Sequence, residues 1–313
     1  MILRLDEILK RTGVIILLDI LGTKNMWQDQ KAKIFLKKVN RMYDKLDYYE
    51  ESITKLFGTM PSDVNSISIK GNSITVDDAL KDYLKSVFAL KLVTTTFSDT
   101  MIIALYGDRA IDSAVFINLL GTFLLIPLFR DAFLNGIYLR GTVSFGNFYI
   151  LEKSSRLLIV GPAINEAAES YSMSEWIGIS AAPSTFLALK HESPNFKRFQ
   201  KIGLHVTTSR GDIDASEQIG IMSCFIDHDI PLKTGFEKEG LALAWPLYQN
   251  SAYHSNTKFE RLFEKQLDYR KFQEKPVPYE IYRKLSNTRQ FYKKCVEYKA
   301  AIDMSTLSFR TKK

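Results

Sequence analysis

Five apolar residues, Val14-Ile15-Ile16-Leu17-Leu18, run without interruption into Asp19-Ile20-Leu21-Gly22. A continuous β-branched and leucine run of this length reads as a strand covered on both faces, so the fold must bury a central strand and end it in an acid. A second segment, Thr94-Thr95-Thr96-Phe97-Ser98-Asp99-Thr100-Met101-Ile102-Ile103-Ala104-Leu105, places another aspartate between two strand-like runs. Ser98-Asp99 there reads as the turn of a hairpin joining strands at 91–97 and 100–106.

Each segment delivers a carboxylate to the end of a buried strand. Two such groups sharing a low-dielectric site need a cation. Divalent metal ions bound jointly by protein carboxylates and nucleotide phosphates are the most economical supply. The chain's net charge of +7 suits a polyphosphate or nucleic-acid ligand. Two cysteines, Cys224 and Cys295, make neither a disulfide framework nor a metal cluster, and a reducing, cytoplasmic setting fits. The four histidines show no zinc-ligand spacing. Asp19 interrupts the apolar run nearest the N-terminus, so no signal peptide is expected. The apolar stretch 114–129 is shorter than the roughly 20 residues a membrane span needs. It also holds Asn118, Gly121, Thr122 and Pro127, and reads as a buried helix.

The rest of the chain sorts by periodicity. A helix is expected from about Trp27 to Tyr49, with Phe35, Val39, Met42, Leu46 and Tyr49 on one stripe. Residues of about 55–90 read as an insertion. Strands follow at 137–148 and 157–160, the first carrying Gly136, Gly141 and Gly146, whose spacing fits a bulged strand. A helix opens at Pro162, where a missing N–H is harmless, and runs to about Trp176. Extended structure resumes at 177–180, and late strands are expected at 221–226 and 241–245. Two helices, 257–273 and 278–301, close the chain, the second with Tyr282, Leu285, Tyr292 and Val296 as its apolar face. The division is a domain over 1–250 and a helical extension over 251–313. The order β-α-β-β-α-β predicts an α+β, ferredoxin-like (split βαβ) core, an antiparallel sheet with helices on one face. Trp27, Trp176 and Trp245 are expected as core or interface fillers.

These elements carry motifs that resemble the class III nucleotidyl cyclases. The family's Asp-Ile-x-Gly is similar to Asp19-Ile20-Leu21-Gly22, and its second Asp, in the following hairpin, to Asp99. Its Arg-x-Gly-x-x-x-Gly strand resembles 139–146, with Arg140, Gly141 and Gly146. Its Gly-x-x-x-Asn-x-Ala helix entry resembles Gly161-Pro162-Ala163-Ile164-Asn165-Glu166-Ala167. The resemblance covers roughly residues 12–180. The aspartates lie 80 residues apart (99 − 19), which calls for an insertion after the first helix. Thr95 and Leu158 stand where adenylyl cyclases carry the Lys and Asp that read adenine, and neither is the Glu or Cys common in guanylyl cyclases. Glu169 stands at the family's transition-state Arg position. Among subgroups, the pyrimidine cyclases of bacterial antiphage (Pycsar) signalling resemble this pattern best.

The resemblance implies two Mg²⁺ or Mn²⁺ ions held by Asp19, Asp99 and the carbonyl of Ile20. It implies a phosphate-binding turn at Leu21, Gly22, Thr23 and Lys24. Asn165 would orient the ribose, from the second subunit of a two-fold homodimer with active sites at the interface. With Glu169 unable to supply the cation, Arg140 is the first candidate and Arg156 the second. The expected substrate is UTP or CTP, cyclised with loss of pyrophosphate, and the product would act on a separate effector. No direct membrane or nucleic-acid contact is expected, since basic and aromatic residues are not interleaved on strands. Tyr43 and Tyr48 are candidate stacking partners for the base. A palm-type cyclic oligonucleotide synthase, or a cyclase-fold protein that binds nucleotide without turnover, stays open as an alternative. So does the structural reading of each residue: a cap for Asp19 or Asn165, an internal ion pair for Arg140.

Overall fold

A computed structural model describes residues 9–21, 29–58, 66–69, 72–75, 91–107, 113–153, 156–190, 224–246, 261, 263–265 and 279–310. Strand β1 (Leu9–Leu21) extends past the apolar run at both ends. Both its edges are occupied, which is why residues 14–18 are buried. On one side, Gly13–Asp19 pair antiparallel with β5 (Thr100–Tyr106). On the other, Leu9–Leu21 pair antiparallel with β6 (Tyr138–Lys153). The polar residues Lys10, Arg11 and Thr12 join the strand because β6 is long enough to ladder against them.

Strand β4 (Lys91–Phe97) pairs with β5 across Ser98-Asp99, and Ser98 takes a positive φ of 58° to close that turn. The lateral order β6-β1-β5-β4 is that of a split βαβ core, and it agrees with the α+β, mostly antiparallel fold expected. Beyond β6 the sheet continues through β8 (Gly178–Ala181), β10 (Gly235–Leu243) and the edge strand β9 (Phe225–Leu232). Strand β8 runs parallel to β6, whereas β10 and β9 return to antiparallel pairing. A short β7 (Arg156–Val160) folds back on the far end of β6. Within the expected insertion, a separate hairpin forms from β2 (Ser66–Ile69) and β3 (Asn72–Thr75).

Alternate residues of β1 divide between two cores. Val14, Ile16, Leu18 and Ile20 face α1 (Asp29–Gly58), α2 (Ser113–Leu120) and α3 (Ile126–Leu134). Phe35, Val39, Met42 and Leu46 form the buried stripe of α1, with Tyr49 packed at its edge. Helices α2 and α3 are joined by a π-helical turn, Gly121–Leu125. Any side chain at Gly121 would run into the Cys224 sulfur, with a Cβ only 2.1 Å away. This is the buried helix expected over 114–129, and no described helix is long and apolar enough to cross a membrane.

Ile15 and Leu17 point the other way, toward α4 (Pro162–Met173). Here the expectation of helices on one face needs correction. The core helices share a face, but α4 covers the opposite one, laying Ala163 and Ala167 against Ile15, Leu17 and Phe148. Alanines at a spacing of four make a helix face flat enough to lie close to a sheet. Gly161, at φ 135°, turns the chain into α4 where a Cβ would sit 2.9 Å from the Phe148 backbone. No bulge interrupts β6 between 138 and 150. Its glycine at 141 instead permits close approach, since a Cβ there would lie 2.4 Å from the Leu17 carbonyl oxygen.

Helix α5 (Pro183–Lys190) follows β8. The last described helix, α6 (Tyr279–Arg310), packs against residues 175–177 and β9. Its buried residues are Leu285, Asn287, Thr288, Phe291 and Cys295, whereas Tyr282 and Val296 are exposed. The apolar face is thus rotated from the one expected, because a threonine, with its hydroxyl satisfied, holds a central position. Trp176 and Trp245 are fully buried core residues. Trp27, Gly22, Thr23 and Lys24 lie outside the described residues.

Candidate functional site

The two aspartates meet at one end of the central strands. The Ile20 N–H donates to the carbonyl oxygen of Asp99 at 3.0 Å, locking the hairpin turn against the end of β1. Asp19 sits opposite Thr100 on one neighbour and Arg140 on the other. By the alternation of β1, its side chain points to the α4 face, with Ile15 and Leu17.

There Arg140 receives it. One guanidinium nitrogen donates to Asp19 Oδ2 at 2.7 Å and the other to the Ser174 carbonyl oxygen at 2.9 Å. The side chains of this ion pair are 12% and 15% exposed for Arg140 and Asp19 respectively. The Arg140 guanidinium carbon also lies 5.5 Å from the centre of the Tyr171 ring, and its Nε is buried without a hydrogen-bond partner. Burial raises the Asp19 pKa above its ordinary value, Arg140 opposes that rise, the charge of Asp99 adds to it, and Lys284 lowers it. Asp99 therefore lies within electrostatic reach of Asp19. Tyr43, on α1, has its hydroxyl pushed up by burial and by Asp99, so it lies on the Asp99 side of the site. Tyr48 is exposed.

Not every expected residue gathers here. Leu21 continues β1 and packs against the core. Asn165 is exposed in the first turn of α4, its N–H donating to Gly161 O at 3.1 Å. The next residue, Glu166, contacts Ser144, four residues along β6 from Arg140. At about 3.3 Å per residue this places Asn165 roughly 13 Å or more from the acidic pair of its own chain. Arg156 pairs with Lys153 at the opposite end of β6, so it is no neighbour of Asp19 within one chain.

A second carboxylate cluster lies on the same face. Glu166 accepts from the Ser144 hydroxyl, from the Ser184 hydroxyl at 2.5 Å and from the Ser184 N–H at 2.9 Å. Ser184 Oγ in turn accepts the Phe145 N–H at 3.0 Å. Strand β8 pairs with β6 only over 140–143 and β7 only over 149–153, and this cluster fills the gap between them.

Sequence reasoning missed Ser174, Tyr171 and Lys284. The first two follow from how α4 ends, which no motif encodes. Lys284 had a legible signal: it extends the buried stripe 288, 291, 295 by one turn, an unusual place for a lysine.

As donors for metal ions, the site offers Asp19, Asp99 and the Ile20 carbonyl. Among the described residues, no group of three or more His, Cys, Asp or Glu side chains is placed to hold a metal ion by itself. That set fits ions shared with phosphate oxygens and does not make an all-protein cage.

No family model matches the sequence, nor does any curated protein. Solved structures do. The monomeric guanylyl cyclase domain of the RhoGC fusion protein from the aquatic fungus Blastocladiella emersonii matches at 14% identity and a TM-score of 0.37, over 58% of this chain and 88% of that one. The guanylyl cyclase Cya2 matches at 9% identity and 0.40, over 75% and 91%. The adenylyl cyclase CyaB from P. aeruginosa matches at 13% identity and 0.33, over 58% and 82%. Likenesses this distant leave function to be argued from the site itself.

Proposed function

We propose that this chain is a metal-dependent nucleotide cyclase, converting a nucleoside triphosphate to a 3′,5′-cyclic mononucleotide and pyrophosphate. The observation that carries the reading is the hydrogen bond from Ile20 N–H to the Asp99 carbonyl. It brings two acids 80 residues apart (99 − 19) to one strand end, where the charge of Asp99 raises the cost of ionising Asp19. Bound divalent ions would offset that charge, lower the pKa of the ribose 3′-hydroxyl and steady the pyrophosphate as it leaves.

The chain's own residues do the rest. Asp19 and Asp99, with the Ile20 carbonyl, are the ligands. Arg140 holds Asp19 by one nitrogen and is itself fixed by the Ser174 carbonyl, so the carboxylate is oriented before substrate arrives. The same guanidinium is our candidate for stabilising charge on the α-phosphate. Asn165, exposed and remote from the acids of its own chain, fits a role in a partner's site within a homodimer. Leu21 to Lys24 are the proposed phosphate-binding turn.

The finer reading is a pyrimidine triphosphate, UTP or CTP, with a product that acts on a separate effector in antiphage signalling. Its support is the subgroup resemblance and the absence of purine-reading residues at Thr95 and Leu158. The test is incubation of purified protein with each of the four ribonucleoside triphosphates and Mn²⁺, measuring pyrophosphate and cyclic products. A cyclic mononucleotide from a pyrimidine triphosphate is expected. A cyclic dinucleotide would favour the palm-type reading, and nucleotide binding with no pyrophosphate from any substrate would leave a non-catalytic binding protein.

A further inference from the structure

The C-terminal helix α6 is stitched to the segment that also anchors Arg140. Arg140 donates to Ser174 O; the next residue, Glu175, is held twice by α6, through Asn287 Nδ2 to its carbonyl at 2.8 Å and Arg283 to its buried carboxylate at 3.2 Å. Ile177 N–H donates to Thr288 Oγ1 at 2.9 Å, and that hydroxyl donates to the Lys284 carbonyl at 2.7 Å. Ile177 directly precedes Gly178, the β8 residue beside Arg140. Helix α6 is thus fixed to the sheet end where Asp19 and Arg140 meet.

Its buried stripe runs Cys295, Phe291, Thr288 and then, one turn further on, Lys284. The first three are fully buried against the core, and Lys284 is half-buried where that packing gives way to the acidic site. The Thr288 hydroxyl that bridges Ile177 N–H and the Lys284 carbonyl sets Lys284 beside the segment leading into Gly178, next to Arg140. A lysine on the inward stripe of a helix is costly unless its charge meets a partner.

Resting on the cyclase reading, we propose that Lys284 binds the substrate's phosphate chain beside Asp19, so that α6 is a wall of the active site. Two divalent ions, two carboxylates and a fully ionised triphosphate sum to about two excess negative charges, and Arg140 and Lys284 supply two positive ones. Glu169 supplies none.

The test uses the full chain and titrates inorganic tripolyphosphate in the presence of Mn²⁺ by calorimetry. Lys284→Met keeps the aliphatic stem and removes the charge. It is expected to weaken tripolyphosphate binding by about tenfold or more, with Lys284→Arg staying within about threefold of wild type. Binding of Mn²⁺ alone should be no weaker in either variant, and Lys293→Met, exposed on the same helix, should match wild type in both titrations. A helix-docking role would instead lower Tm in both Lys284 variants without rescue by arginine, which overturns the proposal. So does a Lys284→Met protein that binds tripolyphosphate as wild type does, or a wild type that does not bind it. The parent reading is checked separately: if Asp99→Asn leaves Mn²⁺ affinity untouched, the metal assignment itself fails, whatever Lys284 does.

Discussion

Two carboxylates occupy the same face of the sheet a few residues apart along β6, and their surroundings are opposite. Glu166 accepts hydrogen bonds from two hydroxyls and a main-chain N–H. Each of those donors is part of the seam between β7 and β8, so the carboxylate completes a structure. Asp19 has one cation on one oxygen, burial against it and a second acid beside it. A carboxylate whose donors are satisfied closes a fold; one left in electrostatic conflict is kept for a ligand.

The contrast can be broken most decisively at Asp99. Asp99→Asn should abolish turnover with Mn²⁺ and leave the fold intact, read as pyrophosphate release beside an unchanged circular dichroism spectrum. Wild-type turnover would remove Asp99 from the site. This variant is cleaner than Asp19→Ala, which strands a mostly buried Arg140 and costs on the order of 3 kcal/mol by itself.

The opposite outcome is expected at Glu166. Glu166→Ala removes the acceptor shared by two hydroxyls and the Ser184 N–H, leaving the hydroxyls only each other and the Phe145 N–H, and should cost about 2–3 kcal/mol, measured by urea denaturation. Its Mn²⁺ affinity should equal that of wild type. A variant of full stability with impaired metal binding would reverse the roles assigned to the two acids.

The smallest effect is in pH. Burial, opposed by Arg140 and reinforced by Asp99, holds the Asp19 pKa above its ordinary 3.8. The folded chain therefore binds that proton more tightly than the unfolded chain does. The stabilisation is fully present below pH 3.8 and is lost as pH rises through the raised value. Asp19→Asn carries no charge at any pH and still accepts from Arg140. Its Tm relative to wild type should climb across that window, and a flat difference would show that Asp19 bears no net electrostatic strain.

Much of the fold could be read in advance where one strand's own pattern decides it. The β4–β5 hairpin matches its expected limits because Ser98-Asp99 punctuates two apolar runs. The stripe of α1 is likewise local. What depends on neighbours was hidden: the polar start of β1 is a strand because β6 is there to pair with it. The placement of α4 on the far face rests on packing of Ala163 and Ala167 that hydrophobicity alone does not signal. The same division holds at the site. Asp19 and Asp99 announce themselves at strand ends. The Asp19–Arg140 contact depends on cross-strand register, and Ser174 on where α4 stops, neither of which is written in any one segment.

The clasp between α6 and residues 175–177 has a bearing on how the molecule comes into being. Thr288 lies 269 positions after Asp19 (288 − 19). During synthesis the acidic strand end emerges from the ribosome long before the helix that braces the Arg140 segment. The brace on the Arg140 segment is thus among the last parts of the chain to be made, and the contacts it closes are long-range ones, the kind that slow folding.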